Sequence, residues 1–198
     1  KPFVGVNSDV PSDATIMRVE HGSSEGIVLA EGINPFYSDL ATYHMMASVI
    51  DEAVRRVISV GGRLGQIAGL DNFCWPDPVQ SEKTPDGEYK LAQLVRANKA
   101  LDFYTRAYQV PCISGKDSMK NDSVIDGVRI SIPPTLLITA LAKLDDIMKA
   151  VTMDVKQAGD AVYILGLTKK ELGGSEYYRY IGEKARGSPY VGNNVPQV

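Results

Sequence analysis

Residues 40–70 read LATYHMMASVIDEAVRRVISVGGRLGQIAGL. Leu40, Tyr43, Met46, Ala47, Ile50, Val54, Val57 and Ile58 recur at helical spacing, and Gly61-Gly62 stops the run. A strand is expected over 64–70, so a helix hands over to a strand and the chain reads as α/β. Toward the N-terminus, two short strands suit 14–20 and 26–30, joined by a polar link and followed by a loop at 31–35. Toward the C-terminus, the proline-bearing stretch 71–78 reads as a loop. A second amphipathic helix then fits 87–108, with Leu91, Leu94, Val95, Leu101 and Tyr108 on its apolar stripe. Strands suit 110–114 and 134–144, with 128–132 a weaker candidate.

Beyond residue 145 the pattern breaks. A domain boundary is expected at 155–159, giving one domain over 1–155 and the beginning of a second over 156–198. Residues 161–165 read as that second domain's first strand, and Ser175 as the N-cap of a helix through Tyr177 to Lys184. The closing residues 191–198 are loop chemistry, and with no Met at Lys1 both ends read as cuts in a longer chain.

Composition narrows the function. The 198 residues carry 21 Lys+Arg against 24 Asp+Glu, a net charge of -3, which argues against a nucleic-acid footprint or a polybasic membrane patch. No apolar run approaches the length that spans a bilayer. Cys74 and Cys112 lack any CxxC or Cys/His spacing, so neither a disulfide framework nor a zinc cluster is expected, and a reducing, cytoplasmic home follows. His21 and His44 have no metal-ligand or catalytic partner in sequence.

The segment Ser114-Gly115-Lys116-Asp117-Ser118 combines a turn, a cation, a carboxylate and a hydroxyl just after an expected strand. That mixture suits phosphate and Mg²⁺: glycine admits close backbone approach, lysine offsets phosphate charge, and oxygen ligands suit a hard cation. An ordinary polar turn is the competing reading. It is not a Walker A loop, which needs glycine where Val110 stands and no residue between the lysine and the serine. Asp51 and Glu52 each stand four residues before an arginine, Arg55 and Arg56, and read on spacing alone as i,i+4 ion pairs on a solvated helix face. Asp13, after Pro11-Ser12, reads on its own as a turn residue.

Taken together, five collinear segments resemble phosphoribosylformylglycinamidine synthase, a family of the aminoimidazole ribonucleotide synthetase superfamily. They are Val10 to Ala14, Ile50 to Gly62, Leu70 to Pro78, Ile113 to Asp122, and Gly159 to Tyr177. The resemblance implies an N-terminal-type domain whose mixed or antiparallel sheet, flanked by helices, pairs with a partner into a shared barrel. It implies ATP-dependent conversion of formylglycinamide ribonucleotide to the formylglycinamidine, with ammonia from glutamine. Asp13, Glu52 and Asp117 are then the Mg²⁺ ligands, and Ser12, Lys116 and Ser118 the nucleotide contacts. Arg56 stands where the family usually has an asparagine ligand. It contacts phosphate directly, or the metal set is reduced, or this half has left nucleotide binding.

The motifs resemble the second of the two related halves in large family members. The Thr-His-Asn-His-Pro-type segment of the working site is absent, as is a glutaminase Cys/His/Glu set, so no catalytic residue is assigned. The chain is expected to be inactive alone. Its expected partners are ATP or ADP, the remainder of the synthase, a glutaminase domain or subunit, and a second copy in a homodimer. A nucleotide-holding structural module without turnover, and another ATP-using superfamily member, are the alternative readings.

Overall fold

The computed structural model describes the backbone of residues 3–4, and residues 7–169 and 172–182. Its strands are β1 (Phe3–Val4), β2 (Val10–Pro11), β3 (Thr15–Arg18), β4 (Gly26–Ile33), β5 (Ile67–Cys74), β6 (Cys112–Ser118), β7 (Asp122–Ile125), β8 (Val128–Ser131) and β9 (Thr135–Leu144). Its α-helices are α1 (Thr42–Ser59), α2 (Gly87–Ala107) and α3 (Glu176–Tyr180). Five strands form one sheet in the order β3-β4-β9-β5-β6, antiparallel throughout except for the parallel pair β5 and β6. The mixed sheet with flanking helices agrees with the expected fold class.

Alternation along β9 sets the two faces. Leu136, Ile138, Ala140, Ala142 and Leu144 are buried, while Leu137, Thr139, Leu141 and Lys143 point the other way and are more exposed. On the buried face, Val28, Ala30 and Gly32 of β4 lie opposite Ala142, Ala140 and Ile138. These small side chains let α1 lie close: a Cβ on Gly32 would stand 2.0 Å from the Val49 carbonyl oxygen. Met45, Met46, Val49, Ile50, Ala53, Val54 and Val57 fill that layer, and α2 packs on α1 from outside. The opposite face carries Ile27, Leu29, Leu137, Leu141 and Leu70 half-buried, with Ile33 and Met17 exposed at 50% and 44%.

Both long helices run where the periodicity places them. Several strands do not. The expected strand 64–70 is displaced to 67–74, because Gly65 (φ +80°) and the Gln66 N–H bond to the Arg63 carbonyl make a turn first. Its polar Asp71-Asn72 pair, read as loop, stays in register with β9 and β6. The expected strand 110–114 is likewise displaced to 112–118, so Ser114–Ser118 is part of the strand and not a turn after it. Residues 122–125, unassigned in sequence, pair with the weaker candidate through an Asp126-Gly127 turn with φ of 51° and 76°, the conformation that such a dipeptide favours.

Residues 161–165 form no strand, and Val162, Ile164 and Leu165 are 81–94% exposed. They have no ladder partner among the described residues, and a strand's backbone groups need one. Ser175 does cap α3, accepting from the Tyr178 N–H at 3.3 Å, but the helix expected to run on to Lys184 stops at Tyr180, with Ile181 as its C-cap and Gly182 turned to φ +71°; residues 183–184 lie outside the described residues. So do Lys170, Glu171 and the loop 191–198.

Candidate functional site

The sequence-derived residues gather at two separate places on the sheet. The first is where α1 crosses the end of β4. Glu52 Oε2 accepts the Ile33 N–H at 3.3 Å, and one helical turn later Arg56 donates from Nε to the Asp13 carbonyl at 2.6 Å and from Nη1 to the Glu31 carbonyl at 2.8 Å. Arg56 Nη1 stands 3.9 Å from Glu52 Oε1, which makes the expected i,i+4 pair a loose one. Ser12 turns its hydroxyl back to the Ala14 carbonyl at 2.7 Å. The neighbouring Asp51–Arg55 pair is tight at 2.6 Å and also accepts the Tyr108 hydroxyl; burial first, and then Asp51, push that phenol far up.

The second place is the free edge of the sheet, where Cys112 to Asp117 are all exposed. By register, Lys116 and Ser118 lie on the open face beside Asn72 and Cys74, and Asp117 lies on the other face beside Phe73. Gly115 leaves room for the Asp71 carboxylate: a Cβ there would stand 2.8 Å from it, and the side chain would have to swing aside. The strand end is clamped by Asn121. Its Nδ2 donates to the Ser118 carbonyl at 2.7 Å and to the Trp75 carbonyl at 3.2 Å, and the Trp75 N–H returns a bond to Ser118 at 2.8 Å.

Behind the clamp lies a part-buried polar cluster, centred on the buried Lys90, that sequence reading missed. Lys90 Nζ donates to Ser131 Oγ at 3.0 Å and pairs with Asp86 at 3.1 Å, with Asp122 3.9 Å away. Arg129 pairs with Asp122 at 3.0 Å, and the Asp77 N–H donates to the same carboxylate at 2.8 Å. Burial raises the Asp122 pKa, but bonds from Ser131, Arg129 and the Asp77 amide more than offset it and hold the carboxyl at about 2. Trp75, fully buried, donates Nε1–H to the Lys90 carbonyl at 3.1 Å. Only the i,i+4 spacing of Asp86 and Lys90 is visible locally; Lys90 meets Ser131, and Asp77 meets Asp122, across 41 and 45 positions of chain.

The two places are three strand steps apart. Ile33 pairs with Leu137, Leu137 with Asn72 and Asn72 with Lys116, which separates the corner from the free edge by about 14 Å. One cation gathers its oxygen ligands within a few ångströms of itself. Asp13, Glu52 and Asp117 of one chain therefore do not fit a single Mg²⁺, and no group of three or more Asp, Glu, His or Cys among the described residues does. Cys74 is half-buried and Cys112 exposed, both as free thiols. Burial and Asp71 push the Cys112 thiol up, which is the wrong direction for a nucleophile. Burial and Arg96 push His44 down.

No protein-family model matches the chain. Among curated proteins it is 32% identical, over 94% of its length, to the phosphoribosylformylglycinamidine synthase subunit PurL of Methanothrix thermoacetophila. This chain belongs to that synthase family. It spans about a quarter of its relative, 23% of the length. Among solved structures, Thermotoga maritima PurL complexed with AMPPCP matches with a TM-score of 0.54 and 25% identity over 70% of this chain and 21% of that one. The same protein is known complexed with FGAR, matching at a TM-score of 0.53, and as a PurLQS assembly. AaThiL complexed with AMPPCP and TMP shares the fold, at a TM-score of 0.51 and 15% identity over 75% of this chain and 40% of that one.

Proposed function

We propose that this chain is a second-half segment of a phosphoribosylformylglycinamidine synthase and supplies a nucleotide-phosphate half-site and a sheet surface to the complete enzyme. The full protein would use ATP and glutamine-derived ammonia to convert formylglycinamide ribonucleotide to the formylglycinamidine. The observation that carries this reading is the free sheet edge, where Lys116 and Ser118 share the open face and Asn121 holds the Ser118 carbonyl at 2.7 Å and orients its hydroxyl at 3.1 Å. A lysine ammonium and a serine hydroxyl so placed neutralise and orient phosphate oxygens, which is most of what a protein contributes to phosphoryl chemistry. Asp117, exposed at the same edge, is the acid we retain for a nucleotide-borne Mg²⁺, which needs only one or two carboxylates beside phosphate and water. Ser12 stays a candidate contact at the other corner.

In the same proposal, residues 1–155 form the domain and 156–198 begin a companion domain. The half-exposed apolar face meets a second sheet, from the remainder of the synthase or from another copy of the chain. A glutaminase domain or subunit feeds it ammonia, in the cytoplasm. Sedimentation of the isolated chain should show a dimer, whereas monomer alone at high concentration contradicts self-pairing.

Calorimetric titration with ADP and Mg²⁺ tests the half-site. Saturable binding is expected, weakened about tenfold by Lys116→Ala, the effect of one charge-assisted bond of about 1.5 kcal/mol. Asp117→Ala is expected to remove its Mg²⁺ dependence. Unchanged affinity in both variants would overturn the assignment. Incubation with ATP, Mg²⁺, formylglycinamide ribonucleotide and ammonium should yield no amidine. Product would show that the segment turns over and is more than a nucleotide-holding module.

A further inference from the structure

The Asp13 and Glu31 carbonyl oxygens and the Glu52 carboxylate all face one guanidinium, that of Arg56. Arg56 Nε and Nη1 reach the Asp13 and Glu31 carbonyls at 2.6 and 2.8 Å, and its guanidinium lies 3.9 Å from Glu52 Oε1. The other Glu52 oxygen is turned to the Ile33 N–H. Two carbonyls and a carboxylate are the donor set that a hard divalent ion takes. They are also acceptors for a planar guanidinium, which has five N–H donors, no lone pair to offer a metal, and a charge it does not lose near neutral pH. An ion in the guanidinium's place would have to displace those two bonds and then face the displaced cation at short range.

We propose that Arg56 is a built-in cation that closes this corner in place of a metal ion. It ties together three elements: the Asp13 turn leading into β3, the end of β4, and α1. The Asp13 turn is thereby held at a fixed position without a soluble ion. Glu52 serves as the counter-charge of Arg56 and as a cap for the last N–H of β4. The corner so described is independent of the Lys116 edge and of whether nucleotide binds there.

The test needs no nucleotide, so its failure and that of the half-site reading are distinguishable. The probes are Mg²⁺ for thermal unfolding and Mn²⁺ for paramagnetic broadening of amide signals, both on the full chain. For the wild type, the melting temperature should not respond to Mg²⁺ or to a chelator, and Mn²⁺ should not selectively broaden Ile33, Glu52 or Ala14. Arg56→Met, which keeps the length and removes the charge, should melt lower and stay unresponsive to Mg²⁺. Arg56→Asn, which removes the charge and leaves an oxygen, should also melt lower, with the loss restored in part by Mg²⁺ as a ligand that binds only the folded state. Selective Mn²⁺ broadening at Ile33 and Glu52 in the wild type would overturn the proposal even if neither variant folds. So would an Arg56→Met protein as stable as the parent.

Discussion

Gly32→Ala is expected to lower the unfolding free energy by about 3 kcal/mol or to prevent folding, the upper end of the cost of overpacking a close contact. The added Cβ would meet the Val49 carbonyl oxygen at 2.0 Å and the Ala53 nitrogen at 3.2 Å, both backbone atoms of α1. Backbone cannot swing aside as a side-chain tip can, so α1 would have to lift from β4 and from the Ala30, Ala140 and Ala142 surface beneath it. Gly69→Ala gives the contrast, since its Cβ meets the tip of Val110 at 3.1 Å and a small shift accommodates it. Trp75 is the single tryptophan and is fully buried, so its fluorescence reports urea unfolding of all three proteins. A Gly32→Ala midpoint equal to that of the parent would mean that α1 does not sit on β4 in this way.

Asp122→Asn should cost about 2 kcal/mol at pH 7. The carboxyl moves from an ordinary 3.8 to about 2 on folding, and such a difference contributes about 2 kcal/mol to the folded state. Because the folded value is the lower one, the contribution is complete above pH 4 and disappears as pH falls from 4 to 2. The parent should therefore lose stability across that window more steeply than the Asn variant does. Asp122→Ala should cost more, about 3 kcal/mol, since it removes the close partner of Arg129 and leaves Lys90 with Asp86 alone at an emptied position. Parallel stability profiles for parent and Asn variant between pH 4 and pH 2 would show that the cluster does not hold Asp122 ionised.

The helices were legible because their apolar stripes bury against one sheet and each other, and a stripe of period 3.6 survives in sequence whatever it packs on. Gly61-Gly62 marked the end of α1 for the same local reason. The strand ends were less legible. Asp71-Asn72 and Gly115-Lys116-Asp117-Ser118 carry turn chemistry, but parallel pairing of β5 with β6 satisfies their backbone and keeps them extended. A reading that weighs residue types one at a time has no access to that pairing. The Asp126-Gly127 turn was there to be read, and its two flanking strands follow from it.

The candidate site divides in the same way. Local chemistry singles out the segment that holds Lys116 and Ser118, and the register sets both on one face of β6. Placing Asp13, Glu52 and Asp117 around one ion needed a distance that sequence does not hold, and sheet order sets it at three strands. The contacts of Arg56 with two carbonyls depend on where β3 and β4 end relative to α1, which no motif encodes. The Lys90–Asp122–Arg129 cluster was hidden because ordinary surface-type residues acquire their role only through burial.

In the proposed function the free edge of this sheet receives nucleotide phosphate. A half-site binds weakly, so the decisive measurement is a residue-resolved amide titration of the chain with ADP and Mg²⁺. Shifts should concentrate at Ser114 to Ser118 and on the adjoining Leu70 to Cys74 of β5. Shifts confined to the groove between α2 and the start of β6, lined by Leu101, Thr105, Val110 and Cys112, or no shifts at saturating nucleotide, would contradict it.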